Sequence, residues 1–392
     1  MSSPSFPSFP PSWPPVPTGS TAAHPLVPYG WDDGWAAEFA PHAPRGLLPG
    51  RVTRVDRSLC DAATPAGPVR ADTALVTPRD PLRIVCTGDW VALDPGADRP
   101  LVRTILPRRT AVTRSTSSKR SEGQVLATNV DRVVVCVSLA ADPDLERLER
   151  FLALAMSSSG GEALLRPPGS AGTPGPEPLI VLTKADLVQD ADQVRQDVVR
   201  AAPGAQVVVV SAATGLGLDA LAALASGSSA LIGQSGAGKS TLANALVGAD
   251  AMVVQRTRGD GKGRHTTTAR ELLPLPGGGV LIDTPGLRGV GMYESAQGVQ
   301  QVFTEIQELA ADCRFADCGH LAEPGCAVLA ALADGLLTER RLDSYRKLLR
   351  EDARIAARTD HRTKVEQARQ RKARSRTGRQ SAQVRALHWD EI

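Results

Sequence analysis

A nine-residue segment near the middle of the chain has the composition and spacing of a phosphate-binding loop. Three glycines allow backbone N–H groups to turn inward on phosphate oxygens, and the helix predicted after them would present its positive end. The Lys239 ammonium is expected to reach the β- and γ-phosphates, and the Ser240 hydroxyl is expected to bind Mg²⁺. The segment comprises Gly233, Gln234, Ser235, Gly236, Ala237, Gly238, Lys239, Ser240 and Thr241.

Two segments that precede this loop could select the base of a bound nucleotide. Thr183–Asp186 follows the apolar stretch 179–182 and resembles the guanine-specificity motif Asn-Lys-x-Asp of GTPases, with Thr in place of the usual Asn. The Asp186 carboxylate would accept two hydrogen bonds from guanine, whereas adenine would leave it unpaired. A second base-contacting loop is predicted after the stretch 206–210. The candidate base-binding residues are Thr183, Lys184, Ala185, Asp186, Ser211, Ala212 and Ala213.

Segments after the phosphate loop are similar to the two switch regions of GTPases. Asp283 and Gly286 belong to an Asp-Thr-Pro-Gly sequence that resembles the motif sensing Mg²⁺ and the γ-phosphate. Upstream of it, three consecutive threonines supply the hydroxyl that a GTPase needs as a further Mg²⁺ ligand beside Ser240. We favour the central one, Thr267, without excluding its two neighbours.

The order of these motifs is permuted. The base-selecting segments at 183 and 211 precede the phosphate loop at 233, whereas ordinary GTPases begin with the phosphate loop. A parallel sheet tolerates such a permutation when the original termini lie close together and are joined. The chain that leaves Gly286 therefore enters the next domain directly, so the state of the nucleotide is expected to affect that domain.

The residue that orients the attacking water is not evident from the motifs. Leu287 stands where many GTPases have a glutamine, and leucine cannot hydrogen-bond to water, so unassisted hydrolysis is expected to be slow. His265 is the nearest candidate, because a closing switch loop could bring its imidazole to the water. An exposed histidine without a chemical role is the alternative. The candidate catalytic residues are Lys239, His265, Thr267, Asp283 and Gly286.

Three cysteines and one histidine lie within residues 313–326. In a reducing compartment such a cluster indicates a metal ion rather than disulfides. Three thiolates and one imidazole complete the tetrahedral set of a structural Zn²⁺ site and leave no open position for catalysis. The predicted zinc ligands are Cys313, Cys318, His320 and Cys326.

The elements that would position these residues divide the chain into five parts. Short β-rich runs at 51–55, 74–77, 83–86, 90–93 and 101–106 predict a small barrel, for which the oligonucleotide-binding (OB) type fits the strand count. From residue 129 strands alternate with helices, which predicts a parallel α/β sheet with a surface insertion at 157–178. We predict a disordered Pro- and Ser-rich leader (1–45), an OB-type barrel (46–114), a circularly permuted α/β P-loop GTPase domain (115–290), a mostly helical zinc-binding domain (291–350) and a basic helical or disordered tail (351–392).

Composition and charge narrow the class of protein and the kind of partner. With 392 residues, 42% of them hydrophobic and 22% charged, the chain has no apolar run long enough for a bilayer, and we expect a cytoplasmic protein. The net charge is only +3, so local charge matters more. Basic runs of this kind are usually solvated but also bind nucleic acid, and their combination with a barrel and a zinc site favours RNA. They comprise Arg51, Arg54, Arg103, Arg108 and Arg109 in the barrel and Arg350, Arg354, Arg358 and Arg362 near the end.

The permuted motif order, the segment 263–268 and the Cys-x4-Cys-x-His-x5-Cys cluster together resemble the RsgA (YjeQ) family of bacterial small ribosomal subunit biogenesis GTPases. The resemblance implies GTP or GDP with Mg²⁺ and one structural Zn²⁺ as cofactors. It also implies a monomer that binds the 30S subunit and its 16S rRNA through an RNA-binding barrel and a zinc domain. GTP hydrolysis would be stimulated by that subunit late in its maturation.

Two other functions are compatible with parts of this pattern. A nucleotide-regulated RNA-binding or chaperone module, in which turnover is incidental, would carry the same motifs. A hydrolase that uses Zn²⁺ directly is disfavoured, because four protein ligands leave the metal no open position.

Overall fold

The computed structural model describes residues 24–78, 80–96, 99–115, 123–157, 175–248, 270–284, 286–287, 291–293 and 295–357. Predictions for residues 1–23, for 158–174 within the insertion, for the switch segment 263–268 and for the tail beyond 357 lie outside the described residues. No helix in the described ranges has the length and apolar composition needed to cross a bilayer.

The first unit is a closed five-stranded barrel. Its strands are β1 (Leu48–Asp56), β2 (Leu59–Thr64), β3 (Gly67–Asp72), β4 (Trp90–Asp94) and β5 (Leu101–Ile105). They follow the order β1-β2-β3-β5-β4, and β4 pairs back onto β1 to close the barrel. A five-stranded barrel closed in this non-sequential order is the predicted OB type.

The sequence pattern gives the right number of barrel strands but misplaces two of them. The prediction of strands at 74–77 and 83–86 is wrong: Ala74–Val76 is a 3-10 helix, and 83–86 forms no strand. A turn around Asp80, whose carboxylate accepts from the Leu82 N–H at 3.0 Å, interrupts this apolar stretch. The missed strands β2 and β3 instead line the barrel with small residues such as Cys60 and Ala71, both fully buried.

The prediction of a disordered leader is wrong for residues 24–45. This segment contains two 3-10 helices, Val27–Tyr29 and Ala43–Arg45, and the helix α1 (Asp33–Phe39). Trp35 of α1 packs in the barrel core against Trp90, with ring centroids 5.7 Å apart. The burial of such aromatic side chains outweighs the Pro-rich composition that indicated disorder.

The second unit is a parallel sheet with one antiparallel strand. The order is β10-β9-β8-β11-β13-β12; the first five strands run parallel, and β12 is antiparallel to β13. A single pair, Arg54 opposite Glu271, joins β1 to β12 and makes one continuous sheet of both units. A separate hairpin, β6 (Ala111–Ser115) with β7 (Gly123–Thr128), precedes it. The sheet strands are β8 (Arg132–Ser138), β9 (Glu177–Thr183), β10 (Gln206–Val209), β11 (Ser228–Gly233), β12 (Glu271–Pro274) and β13 (Val280–Asp283).

Helices cover the sheet and build the region that follows it. The alternation predicted from the sequence is confirmed, and the predicted helices at 191–201 and 218–224 match to the residue. Helices of the sheet unit are α2 (Leu145–Met156), α3 (Ala191–Ala201), α4 (Leu218–Leu224) and α5 (Lys239–Val247). The C-terminal region contains α6 (Ala296–Val302), α7 (Thr304–Ala311), α8 (Ala327–Ala333) and a helix over 339–357, here α9.

The barrel arginines are largely neutralised within the chain rather than offered to a partner. Arg51 is 1% exposed, stacks on Trp90 and donates to the Asn129 carbonyl oxygen at 2.9 Å. Arg108 is also buried and pairs with both carboxylate oxygens of Asp89 at 2.7 Å. The other three have partners in Arg54–Glu271 (3.7 Å), Arg103–Asp94 (2.6 Å) and Arg109–Asp32 (2.5 Å). The buried Arg51 and Arg108 are therefore poor candidates for contacts with RNA, whereas Arg54, Arg103 and Arg109 form ion pairs at the surface.

Candidate nucleotide site and candidate metal centre

The predicted nucleotide-binding segments meet at one edge of the parallel sheet. β9 ends at Thr183, β11 at Gly233 and β13 at Asp283. Ligands of open α/β sheets bind outside the carboxyl ends of the strands, and these three ends share that edge. The permuted chain therefore delivers its base-selecting and phosphate-binding segments to the same side of the sheet.

The phosphate loop is packed so closely that its backbone requires glycine. A side chain at Gly233 would place its Cβ 2.5 Å from the carbonyl oxygen of Cys136. Gly238 has a φ of 80°, in the left-handed region, and directly precedes α5. A Cβ on Gly286 would lie 2.6 Å from the Cα of Ser235, so the second switch segment touches the loop.

Lys239 lies buried under the phosphate loop. Its Nζ donates to the carbonyl oxygens of Gly233 at 3.1 Å and Gln234 at 3.0 Å, which fixes the ammonium below the loop. No carboxylate among the described residues forms an ion pair with it within 4.0 Å. Burial lowers the pKa of Lys239, because the charged form is desolvated. The side chain thus offers a positive charge with capacity left for an anion.

Asp283 and Ser240 form a polar pair beside this lysine. The Ser240 hydroxyl donates to Oδ2 of Asp283 at 2.7 Å. The other carboxylate oxygen, Oδ1, is buried without a hydrogen-bond partner among the described residues. Burial raises the pKa of Asp283, and the Ser240 hydrogen bond opposes that change. A buried, unpaired carboxylate oxygen next to a hydroxyl fits the oxygen ligands that Mg²⁺ prefers.

The base-selecting segment is tied directly to the phosphate loop. The Thr183 hydroxyl donates to the carbonyl oxygen of Ala237 at 2.8 Å, so threonine supplies a link between the two segments. Lys184 adopts a left-handed conformation with φ 61°. Its Cε would lie 3.9 Å from a Cβ on Gly238. The remaining predicted residues lie at the same edge: Ala185 after β9, Ala212 and Ala213 after β10, Ser235 and Gly236 in the phosphate loop and Thr241 in the first turn of α5.

Ser211 has a role that its motif did not indicate. Its buried hydroxyl lies 2.5 Å from Oδ1 of the exposed Asp186 and donates to that carboxylate. A side chain that can rotate freely presents a carboxylate to a base less well than one held in place. Ser211 therefore orients Asp186, in addition to any contact that its backbone makes.

We expect Ser211→Ala to weaken guanine-nucleotide binding by roughly 10-fold or more, because a hydrogen bond to a charged group contributes about 1.5–3 kcal/mol. The measurement is displacement of a fluorescent GDP analogue by GDP and by ADP. Thr214→Ala, in the same loop, is the matched control. Equal affinities for Ser211→Ala and the control would contradict the orienting role.

The residues proposed for the attacking water are only partly described. His265 and Thr267 lie outside the described residues, so their roles stay predictions. Leu287 is 5% exposed, and its N–H donates to the carbonyl oxygen of Gly233 at 3.1 Å. Its side chain belongs to the core beneath the loop and cannot orient water.

The four predicted metal ligands converge in the C-terminal region. Cys313, Cys318, His320 and Cys326 each offer a ligand atom, and these atoms all lie within 4.8 Å of one another. The Cys313 and Cys326 sulfurs are 3.8 Å apart, and they lie 3.6 and 3.5 Å from His320 Nδ1. Tetrahedral Zn²⁺ has bonds of about 2.3 Å to sulfur and about 2.0 Å to nitrogen, which place two sulfurs about 3.8 Å apart and a sulfur and a nitrogen about 3.5 Å apart. The group is therefore one that could hold zinc.

The loop that carries His320 is organised by Glu323. Its carboxylate accepts from the N–H groups of Leu321 at 2.7 Å, Gly319 at 3.0 Å and Ala322 at 3.0 Å. Hydrogen bonds from backbone N–H groups, first its own and then those of Leu321, Ala322 and Gly319, lower the pKa of Glu323 to about 2. Burial lowers the pKa of His320, which favours the neutral imidazole that a metal ion requires.

A buried polar network fixes the C-terminal region to the sheet unit. Arg341 donates to Glu149 of α2 at 2.8 Å and to Glu305 of α7 at 2.6 Å. It also donates to the carbonyl oxygens of Ala201 and Val302 at 2.9 and 2.6 Å. The sequence does not predict this role of Arg341, because nothing in its neighbourhood along the chain indicates these partners.

The strand order, with base-selecting loops before the phosphate loop on a parallel sheet flanked by a barrel and a Cys₃His group, defines a circularly permuted GTPase. The fold is shared with the crystal structure of YjeQ from Thermotoga maritima, which is 23% identical, with a TM-score of 0.54 and coverage of 78% of this chain and 98% of that one. The RsgA GTPase family model matches residues 170–293.

Two relatives are much closer in sequence. The small ribosomal subunit biogenesis GTPase RsgA of Streptomyces avermitilis is 61% identical over 375 residues, covering 94% of this chain and 97% of the relative. The protein of the same name from Streptomyces coelicolor is 60% identical over 375 residues, covering 93% and 98%. The chain belongs to the RsgA family of GTPases and is a GTP-hydrolysing enzyme.

Proposed function

We propose that this enzyme hydrolyses GTP on the small (30S) ribosomal subunit, late in the maturation of that subunit, and that the subunit stimulates hydrolysis. The observation that carries the proposal is that the segments of Asp186 and Lys239 lie together at one edge of the sheet. The relatives of the chain are named for small-subunit biogenesis. The proposal places the enzyme in the cytoplasm as a monomer, with 16S rRNA as part of its binding surface.

In this proposal each side chain of the site has a separate task. Asp186, held by Ser211, would read the guanine edge, and the loop Gly233–Ser240 would bind the phosphates through backbone N–H groups. Lys239 would bind the β- and γ-phosphates, as its buried and unpaired charge supports. Mg²⁺, when bound, neutralises charge on the phosphates. Ser240, Asp283 and Thr267 would hold it.

The Cys₃His group would bind one structural Zn²⁺. The sulfur–sulfur distance of 3.8 Å and the sulfur–nitrogen distances of 3.6 and 3.5 Å fit tetrahedral coordination. The four donors leave the metal no open position. Zinc would therefore hold the loop between α7 and α8 in place rather than take part in hydrolysis. We also retain the division into leader, barrel, GTPase domain, zinc domain and tail as a proposal, in which residues 24–45 of the leader are folded onto the barrel and the boundaries at 114/115 and 350/351 fall inside β6 and α9.

The test is the rate of GTP hydrolysis with and without purified 30S subunits. We expect slow hydrolysis by the enzyme alone, because Leu287 is buried and apolar, and an increase of at least 10-fold with 30S subunits. Purified 50S subunits and ATP serve as controls. A rate that is unchanged by 30S subunits would refute the proposed stimulation.

A second candidate is a nucleotide-regulated RNA-binding module in which turnover is incidental. Leu287, a buried apolar side chain that cannot orient water, favours this alternative. The same assay separates the two: nucleotide-dependent binding to the 30S subunit without stimulated turnover would support the module.

A further inference from the structure

Arg147 connects helix α2 to the phosphate loop. Its Nη1 donates to the side-chain oxygen of Gln234, the second residue of the loop, at 2.6 Å. Asp144 holds the base of this arginine, because its carboxylate accepts from the Arg147 N–H at 3.0 Å and lies 3.5 Å from Nη2. One guanidinium nitrogen thus contacts a loop side chain and the other lies near Asp144, all at the surface.

The same helix is bound to α9 through three of its residues. Glu146 pairs with Lys347 at 2.6 Å, and Arg150 pairs with both oxygens of Glu351 at 2.6 and 2.7 Å. Glu149, between them, is fully buried and accepts from Arg341 at 2.8 Å. Residues 146–150 therefore contact both the C-terminal region and the phosphate loop.

Close packing makes α2 stiff against the C-terminal region. A Cβ at Gly298 in α6 would lie 2.1 Å from the carbonyl oxygen of Ala153, so the two helices are in backbone contact. A rigid element with contacts to both sites can bias one site when the other is displaced. Helix α2 thus connects α9 to the Arg147 guanidinium through direct contacts.

We propose that Arg147 is a positioning residue for the phosphate loop, acting through Gln234, and that α2 transmits contacts made by the C-terminal region to GTP hydrolysis. Only the second half, transmission through α2, rests on the proposed stimulation by the small subunit. The first half concerns the enzyme alone, and the two halves are tested separately.

A double-mutant cycle tests the link between Arg147 and Gln234. We expect Arg147→Ala and Gln234→Ala each to lower kcat for GTP on the order of 10-fold with little change in KM. The double variant should be no slower than either single variant, since both remove one contact. Arg147→Lys should recover part of the loss. Arg195→Ala is the matched control, because Arg195 on α3 makes a similar helical ion pair with Asp192 at 2.9 Å.

Independent effects of the two single variants, or an unchanged kcat in Arg147→Ala, would overturn the positioning role. Each variant should keep the wild-type melting temperature, so that a loss of rate is not a loss of folded enzyme. This cycle is measured without ribosomal subunits, and it therefore decides the first half whether or not the proposed function holds.

The transmission through α2 is tested with Glu351→Gln, which weakens the contact with Arg150. We expect the 30S-stimulated rate to fall several-fold while the unstimulated rate stays at its wild-type value. Asp343→Asn, which weakens an ion pair between Asp343 and Arg346 within α9, is the matched control. Equal stimulation of the two variants overturns the transmission. Absence of stimulation in the wild-type enzyme overturns the proposed function and this second half with it.

Discussion

Asp186→Asn should lower the affinity for GTP by at least about 100-fold. The carboxylate can accept two hydrogen bonds from guanine, at N1 and the exocyclic amine, and each such charge-assisted bond contributes about 1.5–3 kcal/mol. An amide has one acceptor and one donor, so one of the two guanine donors would face an N–H group. Xanthine has a carbonyl oxygen in that place and matches the amide, so XTP should bind the variant better than GTP does.

The measurement is competition of GTP, XTP and ATP against a fluorescent nucleotide. Asp190→Asn is the matched control, because Asp190 lies four residues further on and caps α3 through the Gln193 N–H at 2.9 Å. The control should keep wild-type selectivity. If Asp186→Asn preferred GTP over ATP as strongly as the wild-type enzyme does, the base-reading role of this carboxylate would be wrong.

The strand-and-loop framework of this site could be predicted because each motif demands a particular residue at a particular place. Gly233 approaches the Cys136 carbonyl oxygen too closely for a side chain, and the base-reading role predicted for Asp186 requires a carboxylate, so each position calls for one residue type. The alternation of strands and helices from β8 to β13 follows from apolar runs that are buried on both faces. Motifs whose residues are adjacent along the chain can therefore be predicted from the sequence.

The contacts between segments could not be predicted in this way. Arg147 and Gln234 are 87 residues apart, and Arg341 and Glu149 are 192 apart, so only the folded chain brings them together. The barrel strands β2 and β3 were missed because their buried residues are small, and α1 was missed because prolines surround its aromatic residues. In both cases the side chains that anchor the element are fewer than a periodic pattern requires.

Replacing Cys326 by alanine should remove the metal ion and unfold the region between α7 and α8. Cys326 is 6% exposed, lies 3.5 Å from His320 Nδ1, and also caps α8 by accepting from the Leu329 N–H. Binding of structural Zn²⁺ contributes roughly 10–16 kcal/mol in small zinc domains, which is folding free energy for the loops that carry the ligands. The burial of apolar residues in this region is too small to replace it, since Phe315 and Leu321 are 41% and 70% exposed.

The metal content per chain and the thermal unfolding of the variant are the two measurements. Cys60→Ala is the matched control, because Cys60 is a buried free thiol of the barrel. The same substitution there removes packing contacts of the side chain but leaves the Cys₃His group intact. The control should retain one zinc ion, whereas Cys326→Ala should retain none and melt at a lower temperature. Binding of GDP should survive in both, because the Ser211–Asp186 and Ser240–Asp283 pairs lie at the sheet edge. A Cys326→Ala protein that keeps its zinc and its melting temperature would show that the four side chains converge without holding a metal ion.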